Sequence, residues 1–211
     1  REVVETAARL GLEAITLYAF STENWKRPRH EVLTLMALLE EYVGRELETM
    51  RSNNLRFRPI GRLDELDRSV QKALARAVAE TAACTGTVIQ IALNYSGRQE
   101  LTELVRAAVA EAQHGAVAPE AVDEAWVEAR LATSGLPDPD LLIRTSGEQR
   151  VSNFLRWQMA YTEIGFSPVR WPDSRQADLL EALLDYQRRE RRFGGLAPKA
   201  GVFSPPGTVR A

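Results

Sequence analysis

Cysteine and histidine are scarce in this sequence of 211 residues, and their scarcity limits the chemistry that it can perform. Cys84 is the single cysteine, so no internal disulfide and no paired-cysteine zinc site can form. The two histidines, His30 and His114, do not make the H-E-x-x-H pattern of a zinc protease. They also give poor support to a nucleophile activated by histidine.

Long apolar runs and an excess of charge of one sign are missing too. The formal net charge is −2, from 27 basic and 29 acidic residues, so the basic surface that accompanies nucleic-acid binding is not expected. No apolar run approaches the roughly 20 residues of a membrane-spanning helix. The phosphate-binding patterns G-x-x-x-x-G-K-[ST] and G-x-G-x-x-G after a strand are also absent. We therefore expect a cytoplasmic protein in which any anion site is local.

Short segments rich in branched or aromatic residues alternate with longer segments of helical periodicity. The predicted strands are residues 14–20, 55–60, 88–93, 140–144 and 161–166, and the predicted helices are residues 30–50, 63–83, 98–113, 120–132 and 174–192. This alternation predicts a single-domain α/β fold with a mostly parallel sheet flanked by helices. Ligands of such sheets bind beside the carboxyl ends of the strands, so the loops there are the places to search for chemistry.

The predicted helix 30–50 carries apolar residues over more of its circumference than one core-facing stripe requires. They are Val32, Leu33, Leu35, Met36, Leu38, Leu39, Tyr42 and Val43. One interpretation is a helix that packs against the sheet and also against a neighbouring element or a dimer partner. The other is a helix with one side lining an apolar cavity, and the sequence leaves both open.

The loop between the first predicted strand and this helix is dense in functional side chains. It reads Phe20-Ser21-Thr22-Glu23-Asn24-Trp25-Lys26-Arg27-Pro28. Single residues have structural interpretations, such as Ser21 capping a turn or Pro28 starting a helix. A turn needs only one or two such groups, so the whole set favours a polar site. Arg27 would supply donors to phosphate oxygens, and Asn24 would orient a reacting group without titrating.

A second loop follows the predicted strand 140–144 and also leaves a carboxyl end. It reads Arg144-Thr145-Ser146-Gly147-Glu148-Gln149-Arg150-Val151-Ser152-Asn153. Arg144 and Arg150, a glycine that lets backbone approach a ligand, and Ser152 near a possible helix start predict a phosphate cradle. The alternative is an ion pair of Glu148 with either arginine that stabilises the loop.

Two further features involve charge. Glu163 lies in an otherwise apolar predicted strand, where its carboxylate needs a partner, either an arginine or a metal ion shared with a phosphate. The run Arg188-Arg189-Glu190-Arg191-Arg192-Phe193-Gly194-Gly195 is most simply a solvated helix end closed by glycine.

Several blocks of the sequence, in order along the chain, closely resemble the signature blocks of undecaprenyl diphosphate synthases. They are residues 17–28, Asn94-Tyr95-Ser96-Gly97-Arg98, residues 142–155, Trp171-Pro172-Asp173 and the arginine run that ends at Gly195. The resemblance implies a magnesium-dependent cis-prenyltransferase that condenses isopentenyl diphosphate with an allylic diphosphate. It also implies a homodimer, a six-stranded sheet of which five strands are visible here, an apolar substrate tunnel walled partly by helix 30–50, and allows peripheral membrane contact through the lipid product.

The same resemblance implies roles for individual residues. Arg144, Arg150 and Ser152 match residues that hold isopentenyl diphosphate, and Arg27 matches a contact to the allylic diphosphate. Glu163 matches a magnesium carboxylate. The residues that match the segment closing over the reacting ends are Ser21, Glu23, Asn24 and Trp25, with Phe20 beside them as a substrate contact. Arg192-Phe193-Gly194 resembles the family's C-terminal Arg-x-Gly, which helps complete the site across the dimer.

The domain is predicted to cover residues 1–195, followed by a tail, 196–211, that is disordered or contacts a dimer partner. The family's Asp-Gly-Asn-Gly-Arg-Trp-Ala loop has no counterpart in the sequence, and we expect it to precede Arg1 in the complete protein. Because the second loop is complete, we expect an active enzyme. The alternatives are a non-catalytic prenyltransferase-like subunit or polyprenyl-binding partner, and a phosphatase or nucleotide-binding enzyme of the doubly wound class. The absence of D-D-x-x-D argues against the all-helical trans-type prenyltransferases.

Overall fold

The computed structural model describes residues 1–190, which contain six α-helices and five strands that alternate up to β3. The helices are α1 (Glu2–Arg9), α2 (Arg29–Ser52), α3 (Arg68–Thr81), α4 (Gly97–Gln113), α5 (Glu124–Glu128) and α6 (Gln176–Gln187), and the strands are β1 (Ala14–Ser21), β2 (Arg56–Ile60), β3 (Val88–Tyr95), β4 (Leu141–Arg144) and β5 (Glu163–Phe166). The predicted Arg192-Phe193-Gly194 motif and the tail 196–211 lie outside the described residues.

Every strand pairing in residues 1–190 is parallel, as predicted, and the flanking helices confirm the α/β fold class. The pairing has an order that the sequence did not reveal. Strand β3 lies between β1 and β2, whereas β4 pairs with β5 in a separate two-stranded sheet. The segment between β4 and β5 packs on the three-stranded sheet, since the ring of Phe154 stacks on Tyr18 of β1 with centroids 4.5 Å apart.

The largest buried cluster lies between the three-stranded sheet and the helices α2 and α3. It contains Phe57 and Ile89 from the strands together with Met36 and Val43 from α2 and Leu74 from α3. Burial of these side chains supplies the main driving force for packing the helices on the sheet, at about 25 cal/mol per Å² of apolar area. A second cluster on the other side of the sheet contains Ile60, Ala92, Tyr95, Phe154 and Leu155.

Helix α2 has the two apolar faces that its sequence predicts. One face is buried, with Val32 at 6% exposure and Met36 at 4%. The other face carries Leu38 and Tyr42, which are one turn apart and whose exposed fractions are 41% and 49%. This second face borders solvent in the described part of the chain, so the cavity-lining interpretation remains a prediction.

Three predicted helices are longer than the observed ones. Residues 120–132 contain only the short α5, because the carboxylate of Asp123 accepts a hydrogen bond from Trp126 N (2.8 Å) and caps a helix that begins after it. The segment predicted from residue 63 starts with a 3₁₀ turn, and α3 begins only at Arg68. Helix α6 begins at Gln176, where Asp178 accepts from the Arg175 N–H (2.7 Å), and ends at Gln187.

A cavity of about 880 Å³ opens at the amino-terminal edge of the three-stranded sheet, lined by Arg56, Arg58, Thr87 and Gly135 among others. It lies at the opposite edge from the predicted site and is partly polar, so it does not correspond to the predicted tunnel. Within residues 1–190, no helix combines the length and the apolarity needed to cross a bilayer.

Candidate active site

The two loops predicted to bear the site leave the carboxyl ends of β1 and β4, and the loop after β3 lies beside them. Strand β1 ends at Ser21, opposite Tyr95 of β3, and β4 ends at Arg144. Because parallel strands bring their carboxyl ends to one edge, segments far apart in sequence meet there. Hydrogen bonds between these segments show that they meet.

The first loop folds as a 3₁₀ helix, Thr22–Lys26, with a reciprocal cap at its start. The Asn24 Oδ1 accepts a hydrogen bond from the Ser21 N–H (2.9 Å), and the Ser21 side chain accepts from the backbone of Asn24. The capping interpretation of Ser21 is therefore confirmed. Among residues 1–190, no carboxylate forms an ion pair with Arg27, which is exposed beyond the end of this turn.

Trp25 and Phe20 pack edge to face, with ring centroids 5.1 Å apart. Phe20 is 3% exposed and belongs to the core, whereas Trp25 is 43% exposed. The indole Nε1 of Trp25 donates to Oδ1 of the buried Asn94 (2.7 Å), whose Nδ2 donates to the Arg62 carbonyl (3.1 Å) and to Glu65 (2.9 Å). Trp25 is therefore tied to β3 and to the loop after β2.

Asn94 also changes the direction of β3. Its φ of 47° lies in the left-handed region, which asparagine tolerates better than most residues. Leu93 belongs to the core cluster under α2, whereas Tyr95 belongs to the cluster on the other side of the sheet, although alternate strand residues normally face the same side. The left-handed residue between them reverses the alternation and directs Tyr95 toward Phe154.

Glu23 reaches the second loop. Its Oε1 accepts a hydrogen bond from the Asn153 Nδ2 (2.9 Å), and this bond is the main reason why the pKa of Glu23 lies below its ordinary value. The neighbouring Tyr18 donates its hydroxyl to the Tyr95 carbonyl (2.9 Å). Burial, together with the charge of Glu23, raises the pKa of Tyr18 to about 12. Glu23 is thus ionised and Tyr18 neutral at pH 7.

In the second loop, Arg144 and Arg150 both ion-pair with the carboxylate of Glu148, Arg150 at 2.7 Å. Both ion pairs that the sequence allows, Glu148 with Arg144 and Glu148 with Arg150, are therefore present. Burial and the nearby Arg150 charge lower the pKa of Arg144, and its Nε is buried without a hydrogen-bond partner among residues 1–190. Two guanidinium groups share one carboxylate, which leaves a net positive charge at the carboxyl edge.

The backbone of this loop is unusual where it approaches the edge. Ser146 and Gly147 are both left-handed, at φ 68° and 67°, and a Cβ at Gly147 would meet no other atom within 4 Å. Ser152 is left-handed as well, at φ 52°. Residues 152–161 form successive turns, so the helix start considered near Ser152 is not present. The loop thus presents backbone and hydroxyl groups instead of a helix terminus.

Glu163 has an arginine as its partner in this structure. Its Oε2 accepts from Nη1 of Arg189 (3.0 Å), which also donates to the Ile164 carbonyl (3.1 Å). Hydrogen bonds to the carboxylates of Asp185 and Glu163 raise the pKa of Arg189. Glu163 pairs in register with Leu141, three residues before Arg144, which places it roughly 10 Å along the strand from the carboxyl edge. No cluster of three or more potential metal ligands occurs in residues 1–190.

The structure therefore brings the first loop, through Glu23, into contact with the segment that carries Ser152, and it sets Glu163 apart. Asn94 and Asn153 connect the loops of the site; both lie in segments that the sequence singled out, but neither was predicted to have a role of its own. Both are asparagines in the left-handed region, at φ 47° and 61°. Asparagine tolerates left-handed backbone and so can mark a turn in the sequence. The partners of its side chain lie far away in the chain and cannot be read from the sequence.

Comparison with known proteins defines the class. Residues 1–194 match the family model described as "Putative undecaprenyl diphosphate synthase". An isoprenyl transferase of Geobacter sulfurreducens is 48% identical over 194 residues, which cover 92% of this chain and 79% of that protein. An isoprenyl transferase of Heliobacterium mobile is 47% identical over 196 residues, 93% of this chain and 75% of that protein. The chain belongs to the undecaprenyl diphosphate synthase family, the cis-prenyltransferases.

Solved structures agree with this assignment. Lavandulyl diphosphate synthase from Lavandula x intermedia, in complex with dimethylallyl diphosphate, superimposes with a TM-score of 0.89 at 36% identity, over 92% of this chain and 84% of that one. A probable undecaprenyl diphosphate synthase from Campylobacter jejuni superimposes with a TM-score of 0.79 at 31% identity, over 92% and 88% of the two chains. The recognition of the family from the sequence blocks is confirmed.

Proposed function

We propose that this protein elongates cis-prenyl chains by condensing isopentenyl diphosphate with an allylic diphosphate, farnesyl or geranyl diphosphate, to give a Z-polyprenyl diphosphate. The observation that carries the proposal is the pair of guanidinium groups of Arg144 and Arg150 at the carboxyl edge. They share the single carboxylate of Glu148, and the buried Nε of Arg144 is unpaired among residues 1–190. A diphosphate would accept hydrogen bonds from the accessible guanidinium N–H groups and neutralise the remaining positive charge.

The proposed reaction breaks the C–O bond between the allylic carbon and its diphosphate and forms a C–C bond to isopentenyl diphosphate. One proton leaves the new chain, and diphosphate is released. Arg27, which is exposed without an ion pair in the described residues, would stabilise the departing diphosphate. Arg144, Arg150 and Ser152 would hold isopentenyl diphosphate, while Ser21, Glu23, Asn24 and Trp25 close over the reacting ends. Phe20, predicted as a substrate contact, is 3% exposed and packs against Trp25, so it would act on the substrate through that ring.

The growing hydrocarbon needs an apolar surface, and α2 is the candidate in the described residues. Each added unit brings five carbons, and burial contributes about 0.8 kcal/mol per CH₂, so the intermediate would stay bound between steps. A lipid product of this kind would also favour peripheral contact with a membrane. Action in the cytoplasm remains a prediction.

Magnesium is the proposed cofactor, with Glu163 as its protein carboxylate. The ion uses few protein ligands when phosphates supply the others, so one carboxylate can suffice. The fit is partial, because Glu163 is ion-paired with Arg189 and lies away from the carboxyl edge. Bound magnesium would neutralise diphosphate charge. Activity measured against Mg²⁺ concentration tests the assignment. Glu163→Gln should raise the Mg²⁺ concentration that gives half-maximal activity. An unchanged concentration would show that the carboxylate is not a ligand.

A homodimer is the proposed assembly. Apolar side chains of β5 and the segments that follow it are exposed in one protomer: Ile164 (38%), Phe166 (54%), Trp171 (46%) and Leu184 (54%). Their burial in a second copy would remove apolar area from water. Analytical ultracentrifugation should give twice the protomer mass, and Phe166→Asp should shift the equilibrium to monomer. A monomeric wild type at micromolar concentration would contradict the proposal.

The activity itself is tested with isotope-labelled isopentenyl diphosphate, farnesyl diphosphate and Mg²⁺ on the complete protein. Labelled polyprenyl diphosphates support the proposal. Isopentenyl diphosphate or polyprenyl binding without product would identify a non-catalytic partner subunit instead. Arg144→Ala should abolish turnover. The control Arg76→Ala removes the same charge from α3, where the ion-pair partner of Arg76 within residues 1–190 is Glu80 (2.7 Å), and should leave turnover unchanged.

A further inference from the structure

We propose that Asn153 is a positioning residue that holds the loops after β1, β3 and β4 in a fixed relation, so that the two diphosphate sites of the proposed reaction keep their spacing. The inference rests on the proposed function for its catalytic consequence. Its structural basis is independent of that function and lies in the hydrogen bonds of this one residue.

The side chain of Asn153 is bonded to both neighbouring loops. Its Nδ2 donates to Glu23 Oε1 (2.9 Å) in the loop after β1 and to Ser96 Oγ (2.7 Å) in the loop after β3. Its Oδ1 accepts from the backbone N–H of Arg98 (2.9 Å). The partners are 130, 57 and 55 residues away in the chain, so these bonds connect loops that the sequence separates widely.

The backbone of Asn153 adds a further bond, because its carbonyl accepts from the N–H of Gly97 (2.8 Å). Gly97 and Arg98 are the first residues of α4, whose own N-cap residue, Ser96, makes no side-chain cap. The first N–H groups of a helix lack partners within the helix. Asn153 supplies them from another loop, and it thereby fixes the start of α4 against the segment that carries Arg150 and Ser152.

The crossing of these two segments is tight. A Cβ added at Gly97 would lie 2.7 Å from the Cγ and 3.0 Å from the backbone N of Arg156. Asn153 itself has φ 61° and follows Ser152 at φ 52°, so two successive left-handed residues turn the chain sharply toward α4. Asparagine tolerates this conformation at less cost than most residues.

A primary amide matches all three partners. Its Nδ2 has two protons, one for the carboxylate of Glu23 and one for Ser96 Oγ, and its Oδ1 accepts from the Arg98 N–H. A serine or threonine hydroxyl has one proton and cannot donate to both acceptors. Aspartate at this position would keep the shape and the bond from Arg98 but would set two carboxylates against each other. Alanine would remove all the side-chain bonds and leave the left-handed turn without a residue that favours it.

The test combines Asn153→Ala and Asn153→Asp in the complete protein with a matched control, Asn54→Ala. Asn54 is also left-handed, at φ 54°, and its side chain also bridges two segments through Thr85 (N–H to Oδ1 2.9 Å), but it lies beside the amino-terminal edge. A general loss of stability would lower the activity of Asn153→Ala and of Asn54→Ala alike. Misplaced groups at a reaction centre cost about 10²-fold in rate, so we expect kcat/KM for isopentenyl diphosphate to fall about 10- to 100-fold in Asn153→Ala. Asn54→Ala should stay within about twofold.

A double-mutant cycle shows whether Asn153 acts through Glu23. In the Glu23→Gln background the amide at position 23 can donate to the carboxylate that Asn153→Asp introduces. The Asn153→Asp substitution should therefore cost at least fivefold less kcat/KM in that background than it costs in wild type. Equal costs in the two backgrounds would overturn the proposal. So would an Asn153→Ala enzyme as active as wild type, or one that loses no more activity than Asn54→Ala.

A readout without catalysis separates this proposal from the proposed function. The Oδ1 of Asn153 protects the amide of Arg98, so hydrogen–deuterium exchange of this amide should accelerate at least tenfold in Asn153→Ala, whereas Asn153→Asp should retain its protection. Faster exchange in a protein that makes no prenyl product would refute the function and keep the positioning role of Asn153. Unchanged exchange in a folded Asn153→Ala would refute the positioning role, whatever the activity.

Discussion

Replacement of Asn94 by alanine should destabilise the protein strongly although it removes only a few atoms. Asn94 is 1% exposed, and its amide bonds to Trp25, to the Arg62 carbonyl and to Glu65. A neutral hydrogen bond contributes about 1 kcal/mol net and one to a charged group about 1.5–3 kcal/mol. The left-handed backbone adds roughly 1 kcal/mol for alanine.

Part of this loss is offset, because Trp25 and the side chain of Glu65 are 43% and 38% exposed and water can reach them. We expect the free energy of unfolding to fall by about 3 kcal/mol. For a chain of this size that corresponds to a decrease in Tm of roughly 6–12 °C. Thermal unfolding followed by circular dichroism measures the shift, and urea denaturation measures the free energy.

Asn94→Gly is the informative control. Glycine adopts φ 47° without strain, so it should lose the hydrogen bonds alone and be about 1 kcal/mol more stable than the alanine variant. If both variants unfold within about 1 kcal/mol of wild type, the amide bonds do not hold Trp25 and the loop after β2 in place, and the reasoning fails.

Three further predictions concern titration and the core. The pKa of Glu23 is lowered in the folded state, so its ionised form stabilises the protein at pH values above the unfolded pKa of about 4.3. In urea denaturation, wild type should therefore have a larger free energy of unfolding than Glu23→Gln at neutral pH, and this difference should be lost as pH falls through the lower folded pKa. The pKa of Tyr18 is raised to about 12, so the stability that its neutral hydroxyl contributes is complete below about pH 10 and lost as pH rises toward 12. Ultraviolet titration should show one tyrosine with a midpoint near 12, and this transition should disappear in Tyr18→Phe. A midpoint near 10 for Tyr18 would contradict its burial. Leu93 is 1% exposed in the cluster with Met36 and Val43, so Leu93→Ala should lower the free energy of unfolding by about 2–5 kcal/mol in chemical denaturation. If this cluster forms the floor of the hydrocarbon site, the same substitution should lengthen the polyprenyl product. An unchanged product distribution would place the floor elsewhere.

The sequence alone predicted the class of fold and the loops of the site. Alternation of strands and helices is a local property of hydrophobic periodicity, and it located all the strands of residues 1–190 within a few residues. Parallel pairing of β1, β2 and β3 then follows from the helices between them, and it brings the loops after β1 and β3 to one edge, whereas β4 and β5 pair in a second sheet with no α-helix between them. The signature blocks around Arg27 and Arg144 identified the family.

Only the tertiary structure decided which side chains meet. The partner of Glu163 is Arg189, and the residues that tie the loops together are Asn94 and Asn153, whose local sequence gives no sign of partners such as Glu23. Hydrogen bonds between loops depend on strand order and on left-handed backbone at single residues, and neither is encoded by periodicity. Helix ends were also decided by single contacts, such as the carboxylate of Asp123 on the first turn of α5.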